Sequence, residues 1–217
     1  METILKPRPF SFWLRWTIIS TLVIPLSYLI SLVAVLLVHG AFGFNMNEWG
    51  TPLSQTLMQM AGGAVIGLGA GIYQKSLLEK SFDVKNSWIY TLIIGFVATE
   101  LIAGIILWQM DLNRGELRFI EFNPLPEAAI FACIGFVTGI LQCFLLRRSF
   151  TGSILWIIAS TAGWGICFLV MAFAYLFPSL LHSTVALVLF FLLCSLLYGA
   201  ITGAALLRIL QKKKITS

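Results

Sequence analysis

The chain has 217 residues, of which 59% are hydrophobic and only 11% are charged, and its formal net charge is +5. An average soluble domain has about 25% charged residues, so this chain has too few polar side chains to cover a water-exposed surface. Soluble globular proteins are therefore excluded. Apolar runs of about 20 residues have the length that crosses the hydrocarbon core of a bilayer. The composition predicts an all-α integral membrane protein, and it gives no reason to expect nucleic-acid binding.

Six apolar runs predict six transmembrane helices. In chain order they are Trp16–Val38, Leu53–Tyr73, Trp88–Trp108, Ala128–Leu146, Ile154–Phe177 and Thr184–Leu210. Four tryptophans lie at the ends of spans, where an amphipathic ring prefers the headgroup layer. They are Trp16, Trp88, Trp108 and Trp156. We expect a single membrane domain over residues 1–217.

Basic residues are distributed unequally between the two sides of this topology. Apart from Arg114 and Arg118, every Lys and Arg falls on the side that holds both termini. Because basic residues accumulate in cytoplasmic loops, both termini are predicted to be cytoplasmic. The basic tail Lys212–Lys214 is expected to contact anionic lipid headgroups as well.

One stretch of sixteen residues occurs twice in the chain. GLGAGIYQKSLLEKSF, which begins at Gly67, returns 68 positions later as GFVTGILQCFLLRRSF, with eight identical positions and no gap. The same shift maps Trp88 onto Trp156. The repeated unit is therefore a whole helical hairpin, and the sixth span carries a weaker copy of its glycine pattern.

Three hairpins are predicted from this repeat, at about residues 16–78, 88–150 and 154–210. Since each copy covers two crossings, the copies share one orientation and are related by an axis along the membrane normal. The predicted arrangement is pseudo-threefold.

Glycines recur at four-residue spacing in the second, fourth and sixth spans. They are Gly63, Gly67, Gly71, Gly135, Gly139, Gly199 and Gly203. Small residues four apart let helix backbones approach closely, which drives association in lipid. The three small faces are expected to meet around the pseudo-threefold axis. A nucleotide-binding glycine loop is excluded, because that motif follows a strand and opens a helix in water.

Gln74 and Gln142 occupy equivalent positions on the glycine faces. One interpretation is an interhelical hydrogen bond near the cytoplasmic interface, worth about 0.6–2 kcal/mol. The other is a polar ring that coordinates a ligand. The third copy has Leu206 at the equivalent position, so such a ring would be incomplete, which favours the structural interpretation.

Glu100 is the only carboxylate deep within any predicted span, and its counterparts in the other copies are Phe168 and Tyr28. A charged side chain at that depth costs about 2.5–3.5 kcal/mol, and burial favours the neutral acid, which can donate a hydrogen bond. Glu100 is either a structural acid in a helix contact or a functional proton carrier, substrate contact or pigment ligand. Its candidate partners by depth are Tyr28, Ser31, Thr99, Thr138 and Tyr198.

His39 and His182 both lie at the predicted outer surface, after the first span and before the sixth. If the hairpins close into a ring, these imidazoles could approach one another, as a haem or metal site requires. The alternative is two unrelated interface histidines. Neither HxxxH nor HExxH occurs, so no metal site is predicted. Bound pigment, haem or lipid stays open, because an apolar cofactor site leaves no spacing signature.

The pattern GxxxGxxQ with a following LLRR and then a Trp-led span resembles a loose set of multi-pass membrane proteins that are frequent in cyanobacteria. This resemblance covers the second to fifth spans. It implies a cyanobacterial source and a bacterial plasma membrane or thylakoid membrane. It carries over no catalytic residues.

Two functions are compatible with these features, and neither is enzymatic. The chain has no GxSxG elbow, no paired intramembrane aspartates and no phosphate loop, which are the groups that chemistry in lipid would need. The favoured expectation is a non-catalytic accessory or scaffold subunit that packs against another membrane protein or against itself. The alternative is a small transporter or channel with Glu100 as the coupling or selectivity residue. Transporter sites usually have broken helices, for which Pro25 is the main candidate.

Overall fold

A computed structural model describes residues 9–42, 52–79, 84–114, 124–175 and 184–212. These ranges contain six α-helices and no β-strand. The helices are α1 Pro9–Phe42, α2 Pro52–Leu78, α3 Ser87–Arg114, α4 Pro124–Leu146, α5 Ile154–Tyr175 and α6 Thr184–Leu210. Helices are expected here, because a helix satisfies all its backbone polar groups internally when no water is present.

Four helices are long and apolar enough to cross a membrane. Their apolar segments are Phe10–Ala41, Thr56–Leu78, Ser87–Ile105 and Val188–Leu210. Within the described residues, α4 and α5 carry shorter apolar segments, Phe131–Leu146 and Ile154–Cys167. The chain is thus a helical protein of membrane type. All six helices are continuous, and α1 runs through Pro25 without a break.

The six helices form a closed ring. Each helix packs against the helix before it and the helix after it in the chain, and α6 packs against α1. The first and last helices are therefore neighbours. All six helices surround one common centre.

The glycines of α2 lie against the backbone of α3. A Cβ atom added to Gly67 would be 2.9 Å from the Cα atom of Ile93, and one added to Gly71 would be 2.8 Å from the Cα atom of Ile89. Gly63 lies one turn further along, where its added Cβ would be 3.3 Å from Cγ of Glu100. At Gly67 and Gly71 only glycine permits this approach, because any side chain would meet main-chain atoms that cannot move aside.

The other glycine faces pack in the same way, and this differs from the expected arrangement. Gly135 and Gly139 of α4 lie against α5, and Gly199 and Gly203 of α6 lie against the segment of α1 that holds Trp16. The small faces of α2, α4 and α6 therefore contact the Trp-led helices and not one another. The glycine face of each of these helices packs closely against its neighbouring Trp-led helix. The larger polar side chains of α2, α4 and α6 point towards the centre.

Three tryptophans also differ from expectation. Trp16, Trp88 and Trp156 are completely buried within the ring, so their side chains do not face outwards. The ring centroid of Trp156 is 6.0 Å from that of Trp16 and 6.0 Å from that of Trp88. A buried indole needs an acceptor for its N–H group, and each of these three has one.

Candidate functional site

The amide of Gln74 is the centre of a buried hydrogen-bonded layer. Its Oε1 accepts hydrogen bonds from Trp88 Nε1 at 3.0 Å and from Gln142 Nε2 at 3.2 Å. Its Nε2 donates to the hydroxyls of Tyr73 and Tyr198, each at 3.4 Å. A glutamine amide has two donors and two acceptor lone pairs, so Gln74 has no capacity left for a ligand.

The layer continues through the equivalent residues of the other helices. Trp156 Nε1 donates to Gln142 Oε1 at 2.8 Å, and Trp16 Nε1 donates to Thr202 Oγ1 at 3.0 Å. Thr202 is therefore the acceptor for the tryptophan N–H group in the third copy, where alignment of the repeats had placed the apolar Leu206. Thr202 precedes Leu206 by four residues, which places both on one helix face, and this spacing was the signal that sequence reasoning missed.

All six helices contribute to this layer, which we call the polar layer: Trp16 of α1, Tyr73 and Gln74 of α2, Trp88 of α3, Gln142 of α4, Trp156 of α5, and Tyr198 and Thr202 of α6. The amides of Gln74 and Gln142 and the hydroxyl-bearing Thr202 are fully buried. A satisfied buried network of this kind fixes one arrangement of the helices. The polar layer is therefore a scaffold element.

A cavity of about 580 Å³ lies beside the polar layer, towards the end of the ring where α1 ends and α2 begins. Residues from all six helices line it. Six of the lining residues are aromatic: Tyr28, Phe96, Phe131, Trp164, Phe191 and Tyr198. Among the described residues that line the cavity there is one carboxylate, Glu100, and there is no Lys, Arg or His. An apolar cavity with few polar groups is the usual form of a small-molecule site.

Glu100 is half-buried in the cavity wall, and its Cγ packs against Gly63. Three of its candidate partners, Tyr28, Ser31 and Tyr198, line the same cavity. In the described part of the chain, no side chain donates a hydrogen bond to the Glu100 carboxylate or forms an ion pair with it. An acid in an apolar wall without such a partner is costly.

The other two candidate partners of Glu100 bond within their own helices. Thr99 Oγ1 donates to the Gly95 carbonyl at 2.8 Å, and Thr138 Oγ1 donates to the Ile134 carbonyl at 2.7 Å. Sequence depth alone placed them near Glu100. Their hydroxyls are committed to the carbonyls one turn back, which is a common arrangement in apolar helices.

Two serine hydroxyls in the cavity wall are committed in the same manner. Ser31 Oγ donates to the Tyr28 carbonyl at 2.6 Å, and Ser195 Oγ donates to the Phe191 carbonyl at 2.8 Å. The indole N–H of Trp164 has no hydrogen-bond partner among the described residues. The Gln59 amide and the Tyr28 hydroxyl also line the cavity. The cavity wall therefore offers one carboxylate, one indole N–H group, one amide, one phenol hydroxyl and aromatic faces.

Two cysteines of the cavity wall form a reciprocal pair. Cys167 Sγ donates to the Cys194 carbonyl at 3.0 Å, and Cys194 Sγ donates to the Cys167 carbonyl at 3.2 Å. Sequence spacing gave no indication of this pair, because the residues are 27 positions apart on different helices. The pair joins α5 to α6 at the cavity.

The histidines do not form a described site. His39 lies in the last turn of α1, and His182 lies outside the described residues, so their proposed approach stays a prediction. Within the described ranges, no group of three or more His, Cys, Asp or Glu side chains is placed to hold a metal ion.

Comparison with protein-family models, with curated proteins and with solved structures returned no match to this chain. The resemblance to cyanobacterial membrane proteins therefore stays a prediction.

Proposed function

We propose that the protein is a small membrane transporter or channel whose central cavity binds the transported molecule, with Glu100 as the coupling or selectivity residue. In this proposal all six helices span the membrane and both termini are cytoplasmic. The observation that carries the proposal is the cavity of about 580 Å³, to which every helix contributes and which holds a single carboxylate.

The size and position of the cavity support a ligand site. Small-molecule sites are usually about 300–1,000 Å³ and mostly apolar, with a few polar groups. Transporter sites lie near the bilayer midplane, and Glu100 lies near the middle of α3.

Glu100 supports a functional role in place of a packing role. Ionisable residues within membrane segments are costly and usually mark substrate or ion pathways. A structural acid would be expected to hydrogen-bond a neighbouring helix, yet the Glu100 carboxylate has no such bond in the described ranges. Because the six helices are continuous, main-chain groups are not freed to bind a ligand, and recognition must come from side chains.

Equivalent contacts in the polar layer support the pseudo-threefold arrangement. Trp88 donates to Gln74, and Trp156 donates to Gln142, which are pairs related by the 68-residue shift. Trp16 and Thr202 supply the third contact across the closure of the ring. Internal repeats around a central site are common in transporters. In this conformation the polar layer would separate the cavity from the cytoplasmic side.

An accessory or scaffold subunit is the second candidate, and α1 is the observation that favours it. The apolar segment of α1 is the least buried of the four candidate spans. Exposed apolar side chains follow its full length: Phe10, Leu14, Ile18, Leu22, Leu26, Leu29, Val33 and Leu36. Another membrane protein or a second copy could cover this stripe, although lipid would cover it equally well.

Reconstitution of the purified full chain into liposomes tests the transport proposal. Solid-supported membrane currents and tracer flux would be recorded on addition of inorganic cations, amino acids, sugars and organic ions in turn. We expect at least one solute to give saturable flux that Glu100→Gln abolishes. Glu79→Gln is the matched control, since Glu79 pairs with Lys75 at the end of α2, away from the cavity.

A different pair of results would favour the accessory function. These are the absence of flux for every solute class together with a stoichiometric partner in a mild-detergent pull-down from the native membrane. An absorption scan of the same eluate would show whether pigment or haem accompanies that partner.

A further inference from the structure

We propose that the cavity is selective for lipophilic organic cations, that is, molecules that carry one positive centre within apolar substituents. The inference deepens the proposed function and rests on its claim that the cavity is a ligand site. Three features of the cavity wall carry it: the sign of its charge, its aromatic faces and the commitment of its serine hydroxyl groups.

The charge of the cavity wall has one sign. Glu100 is the only acid among the described lining residues, and no Lys, Arg or His accompanies it. A cationic ligand would give the carboxylate the partner that it lacks in the described ranges, at a depth where an unpaired charge is costly. An anion would oppose ionisation of this carboxylic acid and would find no basic side chain in the described wall. A phospholipid headgroup would bring a phosphate for which the described wall has no basic partner.

Aromatic faces supply the second attraction for a cation. The Tyr28 and Phe191 rings, from α1 and α6, pack with centroids 4.8 Å apart. In the same cavity wall, the centroid of the Trp164 ring lies 5.3 Å from that of Phe96 and 5.1 Å from that of Tyr198. The face of an aromatic ring attracts cations, and tryptophan does so most strongly. Aromatic walls with one carboxylate suit a bulky organic cation.

Divalent inorganic cations fit the same wall poorly. Mg²⁺ and Ca²⁺ require about six or more oxygen ligands. The Ser31 and Ser195 hydroxyls are engaged with carbonyls of their own helices. Stripping such an ion of its water without replacement ligands is unfavourable, whereas an organic cation sheds little water. The cavity volume of about 580 Å³ also suits a molecule much larger than an ion.

The inference is tested by comparing two probes of nearly equal size and opposite charge. The full chain would be placed in lipid nanodiscs and titrated with tetraphenylphosphonium and, separately, with tetraphenylborate. Empty nanodiscs of the same lipid correct for partition into the bilayer. We expect saturable binding of tetraphenylphosphonium to the protein and no saturable binding of tetraphenylborate.

Variants assign the binding to the cavity. Glu100→Gln is expected to weaken tetraphenylphosphonium binding at least about tenfold, because it removes the only negative charge of the described wall. Phe191→Leu keeps an apolar side chain but removes a ring face, and a several-fold loss is expected. Glu79→Gln should bind like the parent chain. If Glu100→Gln does not fold, Glu100→Asp retains the charge on a shorter stem and should bind with intermediate affinity.

Equal binding of both probes, or tetraphenylphosphonium binding that Glu100→Gln leaves unchanged, would overturn the inference. A neutral carbonyl compound that binds as well as the cation would also overturn it, and would make the Trp164 N–H the recognising group. Glu100-dependent flux of a neutral or anionic solute, without cation binding, would contradict this inference and support the transport function. Saturable cation binding without flux of any solute would support this inference and contradict the transport function.

Discussion

Gln142 donates a hydrogen bond from its amide nitrogen to the amide oxygen of Gln74 at 3.2 Å, and these residues are 68 positions apart in the chain. They occupy the same position in the two copies of the repeated stretch, so the two copies contact each other at the centre of the ring. The bond also joins α2 to α4, which are not neighbours around the ring. Two identical amides therefore differ in environment, and this difference has measurable consequences.

Replacement of Gln74 should destabilise the protein more than replacement of Gln142. Gln74→Leu removes four hydrogen bonds, to Trp88, Gln142, Tyr73 and Tyr198. Interhelical hydrogen bonds in membranes are worth about 0.6–2 kcal/mol each, and some of the partners will find new ones. We expect a loss of about 2–4 kcal/mol in the free energy of unfolding, measured by SDS titration with tryptophan fluorescence.

The comparison variants for that experiment are Gln142→Leu and the double variant. Gln142→Leu should cost about half as much, and the pair should be non-additive by about 0.6–1.7 kcal/mol, the coupling of one membrane hydrogen bond. Equal losses for the two single variants would contradict the assignment of Gln74 as the centre of the polar layer.

Two glycine-to-alanine substitutions should differ clearly in their effect on stability. A Cβ on Gly135 would overlap the backbone of α5 at Ser160, whereas a Cβ on Gly165 would lie 3.7 Å from Ala132, an ordinary contact. Gly135→Ala should therefore separate α4 from α5 and lower the thermal stability in detergent by several degrees. Gly165→Ala should be neutral or slightly stabilising, because alanine favours a helix by about 1 kcal/mol over glycine.

Fluorescence-detected size-exclusion chromatography after heating would measure both glycine variants. Since they share one chemical change in the middle of a helix, the intrinsic helix preference cancels in the comparison. Similar losses for both would mean that close packing at Gly135 does not stabilise the ring.

Cys167 and Cys194 should form a disulfide on mild oxidation. Each thiol donates to the carbonyl of the other residue, and the two side chains are within hydrogen-bond reach of one another. Diamide would accept the two electrons and two protons that the thiols release as the S–S bond forms. Intact mass spectrometry should show the loss of two hydrogens, and peptide mapping should place the bond between α5 and α6.

Cys133 and Cys143 serve as internal controls for that oxidation, since both are free thiols of α4 and neither lines the cavity. They should remain available to maleimide after denaturation. A disulfide that includes either of them would contradict the described arrangement of α4, α5 and α6.

Glu100→Gln should leave the ligand-free protein as stable as the parent or stabilise it by about 1 kcal/mol. The substitution removes an acid that has no hydrogen-bond partner in the described ranges, and a neutral amide costs less in an apolar wall. Sites that serve function are commonly improved in stability when the functional group is replaced. Thermal unfolding in detergent, with Glu79→Gln as the control, would measure the effect.

A clear loss of stability in Glu100→Gln would instead identify Glu100 as a structural acid in a helix contact. That was the other interpretation available from the sequence. Stability therefore separates the two roles before any ligand is known.

The candidate site could be predicted only in part from the sequence. Glu100 was identified because a carboxylate in an apolar run is unusual in any fold, and Gln74 and Gln142 because they repeat. Thr202 was missed because the third copy was aligned residue by residue, which places Leu206 opposite Gln74 and Gln142. The residue that accepts the Trp16 hydrogen bond lies one helical turn earlier. The pairing of Cys167 with Cys194 could not have been found, because no local spacing encodes a contact between two helices.

The sequence by itself determined the class of the protein, because composition and the length of apolar runs decide whether a chain can be covered by water or by lipid. It also marked which helix faces permit close approach, since absence of a Cβ is a property of the residue. Only the tertiary structure decided what those faces contact, that Trp16, Trp88 and Trp156 point inwards, and that six helices leave a cavity beside Glu100. Partner choice and empty volume depend on how whole helices fit together, and no periodicity along one helix contains that information.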